Sequence, residues 1–178
     1  MKKNIISVAL ATACAFSLMS TANAADGLID FTGSVVANTC KINGGTGQNF
    51  TVNLPPVSAA TLAPVGSWAG RTPFQIKLTE CTPATGKVSA LFELGPTINT
   101  ATGRLIVDAG GAENVEIGLL NSSFLPIRAG AANGSQNTEI LDIVSGNATM
   151  NFVAQYESLG GAVPGPANSR VNYTIMYQ

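Results

Sequence analysis

Two side chains dominate the covalent chemistry open to this sequence, Cys40 and Cys81, and that chemistry is oxidation to a disulfide. A third cysteine, Cys14, sits inside an N-terminal apolar run and departs with it if the run is a cleaved leader. What remains is an even pair without the C-x-x-C spacing of a redox site and with too few ligands for a zinc cluster. Two free buried thiols are the alternative, and export to an oxidising compartment favours the bridge. A loop of this size stabilises by roughly 4 kcal/mol in the chain-entropy model. The other candidates are weaker. Glu113 and Glu116 could act as a carboxylate pair, but the chain has 0 histidines, which removes the commonest general base and the Ser-His-Asp and Cys-His arrangements. The two carboxylates therefore read as a turn residue and the solvated face of a strand. Trp68 and Arg71 could stack a sugar ring, although a tryptophan near a strand start more often packs. Gly44-Gly45-Thr46-Gly47 lacks the lysine of a phosphate loop. No catalytic residue, cofactor site or metal site is expected.

The elements that must hold these residues are legible from composition and period. The chain has 178 residues, 46% hydrophobic and 11% charged, with a net charge of -1, so it can bury a core but has no basic excess for nucleic acid or anionic lipid. Residues 1–24 have the form of a signal peptide: Lys2 and Lys3, an apolar run from Ile5 to Met19, and small residues at Ala22 and Ala24. That run is too short to span roughly 30 Å of hydrocarbon as a helix, and no later stretch reaches about 18 consecutive apolar residues. After it, period two prevails. Phe74, Ile76 and Leu78 alternate with polar residues ahead of Cys81, and Phe50, Val52 and Leu54 do the same up to Pro55. Further strands are expected over 87–94, 104–107, 115–120, 138–143 and 149–156, with turns at 43–45, 95–96, 108–111, 129–134 and 160–166. Only the stretch from Val57 to Trp68 could hold a helical turn. Short strands and glycine-rich turns without a dividing linker predict one all-β sandwich.

Both ends carry strand patterns of their own. Ile29, Phe31, Gly33 and Val35 share one face, with Ala37 beyond, and the glycine leaves a gap in that face. At the other end Val171, Tyr173, Ile175 and Tyr177 alternate with polar residues until the chain stops at Gln178, so a strand is expected to run to the last residue.

Taken together, these pieces resemble the chaperone–usher fimbrial subunits of the type 1 pilin family over essentially the whole mature chain. The likeness rests on Phe31-Thr32-Gly33-Ser34-Val35-Val36 leading to Cys40, a strand ending in Cys81, and a closing segment from Phe152 through Pro164-Gly165-Pro166 to Tyr177-Gln178. In that family a glycine lies fourteen positions from the end and a tyrosine is penultimate, and Gly165 and Tyr177 match. The resemblance implies an immunoglobulin-like sandwich, residues 38–178, that lacks its final strand. Its groove beside Gly165, Val171, Tyr173, Ile175 and Tyr177 is filled first by a periplasmic chaperone. The N-terminal extension of the next subunit, residues 25–37, then fills it. Ile29, Phe31 and Val35 are the donor side chains, and Gly33 meets a point where the groove is already full.

The function so implied is structural. The chain is expected to be a shaft subunit of a bacterial surface fimbria that polymerises head-to-tail by donor-strand exchange and supports cell adhesion. Its partners are identical or related pilins, the chaperone and an outer-membrane usher, with no small-molecule substrate and no nucleic acid. It reaches the surface of a Gram-negative cell through the periplasm. The alternatives are a minor adaptor or a lectin-like adhesive subunit of the same fibre, and, from another class, a secreted enzyme, which the absence of histidine opposes.

Overall fold

A computed structural model describes residues 27–32, 39–43 and 48–178. The signal segment 1–24 and the donor positions Gly33, Val35 and Ala37 lie outside the described residues. The chain divides into two units, Met1–Val35 and Val36–Gln178. In the first, residues 27–32 have no regular secondary structure, and Leu28, Ile29 and Phe31 are exposed.

The second unit is built of strands: β1 (Thr39–Ile42), β2 (Trp68–Thr82), β3 (Gly86–Phe92), β4 (Ile98–Asn99), β5 (Arg104–Ile106), β6 (Glu113–Leu120), β7 (Leu141–Ile143), β8 (Ala148–Val163) and β9 (Tyr173–Tyr177). They form a six-stranded sheet in the order β1-β2-β8-β6-β5-β4 and a three-stranded sheet in the order β7-β3-β9. Each of these pairings is antiparallel. Alternation supplies the core: Ile76 and Leu78 of β2, Val88 and Phe92 of β3, Ile117 and Leu119 of β6, and Met150 and Phe152 of β8 all point inward. The Phe152 ring ties the layers together, 5.4 Å from Phe74 beside it and 5.3 Å from Phe92 across the sandwich.

Several sequence expectations shift for identifiable reasons. Phe50 to Leu54 keeps its alternation, with Val52 and Leu54 half-buried, but forms no strand ladder among the described residues. The expected turn at 160–166 begins later, because β8 continues to Val163 by placing Gly160 and Gly161 at positive φ, +106° and +65°, where the register against β6 shifts. The strand expected over 138–143 shortens to β7, because the chain just ahead of it is spent on a side-chain substitute for pairing. Gln136, fully buried, accepts from the Phe92 N–H at 2.9 Å and donates to the Phe92 carbonyl at 2.7 Å, capping the end of β3. Between Val57 and Trp68 there is one 3₁₀ turn, Ala59–Leu62, whose first N–H groups include Ala60, bonded to the Ser58 hydroxyl.

One correction is larger. Glu116 does not face solvent: it is 3% exposed, on the outer face of the six-stranded sheet beneath the β4–β5 turn. Asn99 and Thr102 from that turn donate to its two oxygens at 2.5 and 3.2 Å. Arg104 lies 3.7 Å from Glu116 and 2.5 Å from Glu157, and Gln155 links Glu157 to the Nε of Arg71. Gly118 makes room for this chain of bonds, since a Cβ there would meet the Glu157 carboxylate at 2.2 Å. The chain of bonds ends where the Arg71 guanidinium stacks 3.6 Å from the Trp68 ring, with Phe124 5.1 Å away on its far side. Trp68 and Arg71 thus act on each other. Glu113, in contrast, is exposed at the start of β6.

Cys40 and Cys81 are bonded, joining β1 to the end of β2 across a sequence separation of 41. Opening that loop by Cys81→Ser is expected to remove about 4 kcal/mol of stability, read as a lower denaturant midpoint, while peptide mapping of the wild-type protein under non-reducing conditions should recover no free Cys40 or Cys81. Glu116→Ala leaves buried donors unpaired and should cost about 1 to 3 kcal/mol in the same assay, whereas Glu113→Ala should stay within about 0.5 kcal/mol of wild type. Equal effects would mean the buried network contributes nothing.

Candidate strand-accepting groove

The three-stranded sheet ends at β9, and the sequence of β9 explains why that edge matters. Tyr173, Ile175 and Tyr177 stand opposite Phe92, Ala90 and Val88 of β3 and share their inward face. The β3 residues are at most 2% exposed, yet the three on β9 are only half-buried. The difference arises because no strand pairs with the other side of β9 among the described residues.

The backbone on that side is aligned for pairing. Gln178 and Lys87 exchange both of their backbone hydrogen bonds, at 2.9 and 3.2 Å, which makes them a hydrogen-bonded antiparallel pair. Alternation then gives β3 the backbone groups of Met176 and Thr174, and turns those of Tyr173, Ile175 and Tyr177 toward the open edge. Gln178 itself thus continues the ladder one residue past β9.

Beyond the edge lies a cleft of about 970 Å³. One wall is β9, the other is the extended segment 48–54 with Phe50, Val52 and Leu54, and core residues such as Ile117 and Leu119 form the floor. One side chain crosses it. The Tyr173 hydroxyl donates to the Gln48 carbonyl on the opposite wall at 2.7 Å, and the Phe50 ring stands edge-on, 6.2 Å from the Tyr173 ring. Phe50 also lies 6.2 Å from Phe74, so segment 48–54 is held by side-chain contacts where a strand would be held by a ladder.

Of the residues expected along the groove, Tyr173, Ile175 and Tyr177 occupy β9, and Val171 lines the cleft just ahead of it. Gly165 does not belong to that strand. It lies in the β8–β9 connection, where a Cβ would meet the Ala112 nitrogen at 2.7 Å and the Gly111 carbonyl carbon at 2.8 Å. Its role is close backbone packing, sealed by the bond from Ala112 N–H to the Pro166 carbonyl at 2.7 Å. Sequence reasoning also missed the Tyr173–Gln48 bridge, since Gln48 sits beside a glycine-rich turn with no periodic signal of its own.

A two-sheet sandwich with an unpaired edge strand, correctly facing backbone groups and an apolar cleft beside them has the form of a strand acceptor. Comparison with known proteins agrees. Residues 54–178 match the model of the type-1 fimbrial protein, A. The major fimbrial subunit SMF-1 of Stenotrophomonas maltophilia is 45% identical over 88% of this chain and 95% of its own length. A type-1 fimbrial protein A chain of Escherichia coli is 30% identical over 98% of this chain and 99% of its own. Among solved structures, a type I fimbria protein of Burkholderia pseudomallei superposes with a TM-score of 0.57 at 28% identity, covering 78% of this chain and 88% of that one. The P pilus rod subunit PapA shares the fold, with a TM-score of 0.60 at 17% identity over 78% of this chain and 99% of its own. The chain belongs to the type-1 fimbrial protein family.

Burial pushes the phenols of Tyr156, Tyr173 and Tyr177, all 3 tyrosines of the chain, above their ordinary value of 10.0. The folded state therefore favours the neutral phenol, and the stability this contributes is complete below the unfolded value and lost as pH rises through the folded ones. Phenolate absorbance of the native protein should rise only above pH 10.0, and the denaturant midpoint should fall over that same alkaline range. A native titration that overlays the unfolded one would show that these rings are not shielded.

Proposed function

We propose that this chain is a structural, non-catalytic subunit of a bacterial surface fimbria, one that polymerises by receiving an extended strand from the next subunit along β9. The observation that carries this reading is the open edge of β9, where Tyr173, Ile175 and Tyr177 present both apolar side chains and backbone groups to an empty cleft. The occupant is residues 25–37 of another copy. Ile29, Phe31 and Val35 supply its apolar face, and burying them contributes of the order of 5 to 9 kcal/mol before ordering costs, with ladder hydrogen bonds in addition. An exposed edge and apolar cleft are aggregation hazards in a free monomer, which is the physical reason for a periplasmic chaperone to cover them before an outer-membrane usher directs assembly.

The shaft role is favoured over a minor adaptor or lectin-like subunit by the relatives, which include a major fimbrial subunit 45% identical to this chain. The stacking of Trp68 on Arg71 also removes one ring face from any sugar.

Phe31→Asp places a charge in the apolar cleft of the neighbouring subunit, so surface fibres should disappear while the disulfide-bonded subunit still accumulates in the periplasm. Tyr177→Ser acts on the accepting side: it removes half-buried aromatic surface from the groove wall, and should lower both chaperone capture and subunit yield. Fibres of normal number and length from Phe31→Asp would end the donor-strand reading.

A further inference from the structure

We infer that Tyr173, braced on Gln48 and flanked by Phe50, is the obstruction that fixes the register of the incoming strand, and that Gly33 is the residue that clears it. The inference rests on the donor-strand reading and names the register-determining residue of that groove.

The obstruction is concrete. Tyr173 leaves β9 on the core-facing side, crosses the cleft and ends on the Gln48 carbonyl at 2.7 Å, with the Phe50 ring filling the corner at 6.2 Å. Ile175 and Tyr177 have no printed bond or ring contact to the opposite wall, so the cleft is filled at one level and open beside β9 at the next two. A strand added to β9 sets one residue directly opposite Tyr173, with its side chain on the same face as the ring. Any Cβ substituent there competes with the ring for space. The apolar face of the donor contains a single residue without a Cβ, Gly33, between Phe31 and Val35.

Direction and parity complete the assignment. The strand pairs of this domain are antiparallel, and the backbone groups facing the cleft belong to Tyr173, Ile175 and Tyr177. Antiparallel addition with Gly33 at Tyr173 therefore puts Phe31 opposite Ile175 and Ile29 opposite Tyr177, all as hydrogen-bonded pairs, and Val35 opposite Val171. A slip by two residues in either sense would drive Phe31 or Val35 into the Tyr173 ring. The outward-facing residues follow: Thr32 comes opposite Thr174 as a non-hydrogen-bonded pair, the closer of the two spacings and within disulfide reach.

The full-length chain, expressed with its assembly machinery, tests this in two ways. Gly33→Leu should reduce surface fibres about tenfold or more through overpacking, and the double variant Gly33→Leu with Tyr173→Ala should recover most of that loss. In otherwise wild-type chains, the pair Thr32→Cys and Thr174→Cys should give covalent subunit ladders on non-reducing gels, and Thr32→Cys with Asn172→Cys or Met176→Cys should not. The ladder assay stands alone if Tyr173→Ala prevents accumulation. A double variant that accumulates but assembles no better than Gly33→Leu, or ladders through Asn172 or Met176, overturns the inference while leaving the donor-strand reading intact. Absence of every ladder together with normal fibres from Phe31→Asp would remove both.

Discussion

The organising constraint of this molecule is the unsatisfied edge of β9. The sheet on that side has three strands in the order β7-β3-β9, against six in the other, so the sandwich closes over the core at one side and stays open at the other. Elsewhere each polar backbone group near the core is answered by a ladder or by a substitute such as the Gln136 amide at Phe92. At Tyr173, Ile175 and Tyr177 the answer has to come from outside the described fold. That single deficit accounts for the half-buried tyrosines, for the lack of a ladder along 48–54, and for a cleft that reaches the floor residues Ile117 and Leu119.

How much of this was legible depended on whether a residue's environment is local. The period-two faces of β2, β3, β6, β8 and β9 name the core directly, because burial in a sandwich follows alternation and little else. Phe50, Val52 and Leu54 show the limit of that logic. Their pattern reports which way side chains point, and it cannot report whether a neighbouring strand exists to complete a ladder. Gly165 shows another limit: its position relative to the chain end was read correctly, but the contact that requires a glycine there is made with Gly111 and Ala112, over fifty residues earlier in the sequence.

Glu116 was misplaced for a related reason. On an alternating strand a glutamate reads as solvent-facing, and it does occupy the outer face, but Asn99 and Thr102 arrive from a turn whose position no local pattern discloses. The outcome is a charge held by hydrogen bonds and by Arg104, continuous through Glu157 and Gln155 to Arg71. This network lies on the opposite face of the six-stranded sheet from the core, so the wide sheet is braced by polar bonds on one side and by Phe152 and its neighbours on the other.

The position of the disulfide has a mechanical consequence. In a head-to-tail fibre, pulling force would enter each subunit along β9, where the neighbour's strand is seated, and leave through the chain that runs from its own residues 25–37 into β1. β1 is only 4 residues long and would peel from β2 one ladder bond at a time. The Cys40–Cys81 link moves that tension covalently onto β2, whose 15 residues are zipped lengthwise to the 16 of β8 and so resist in shear. The shortest strand in the force path is the one that has been riveted.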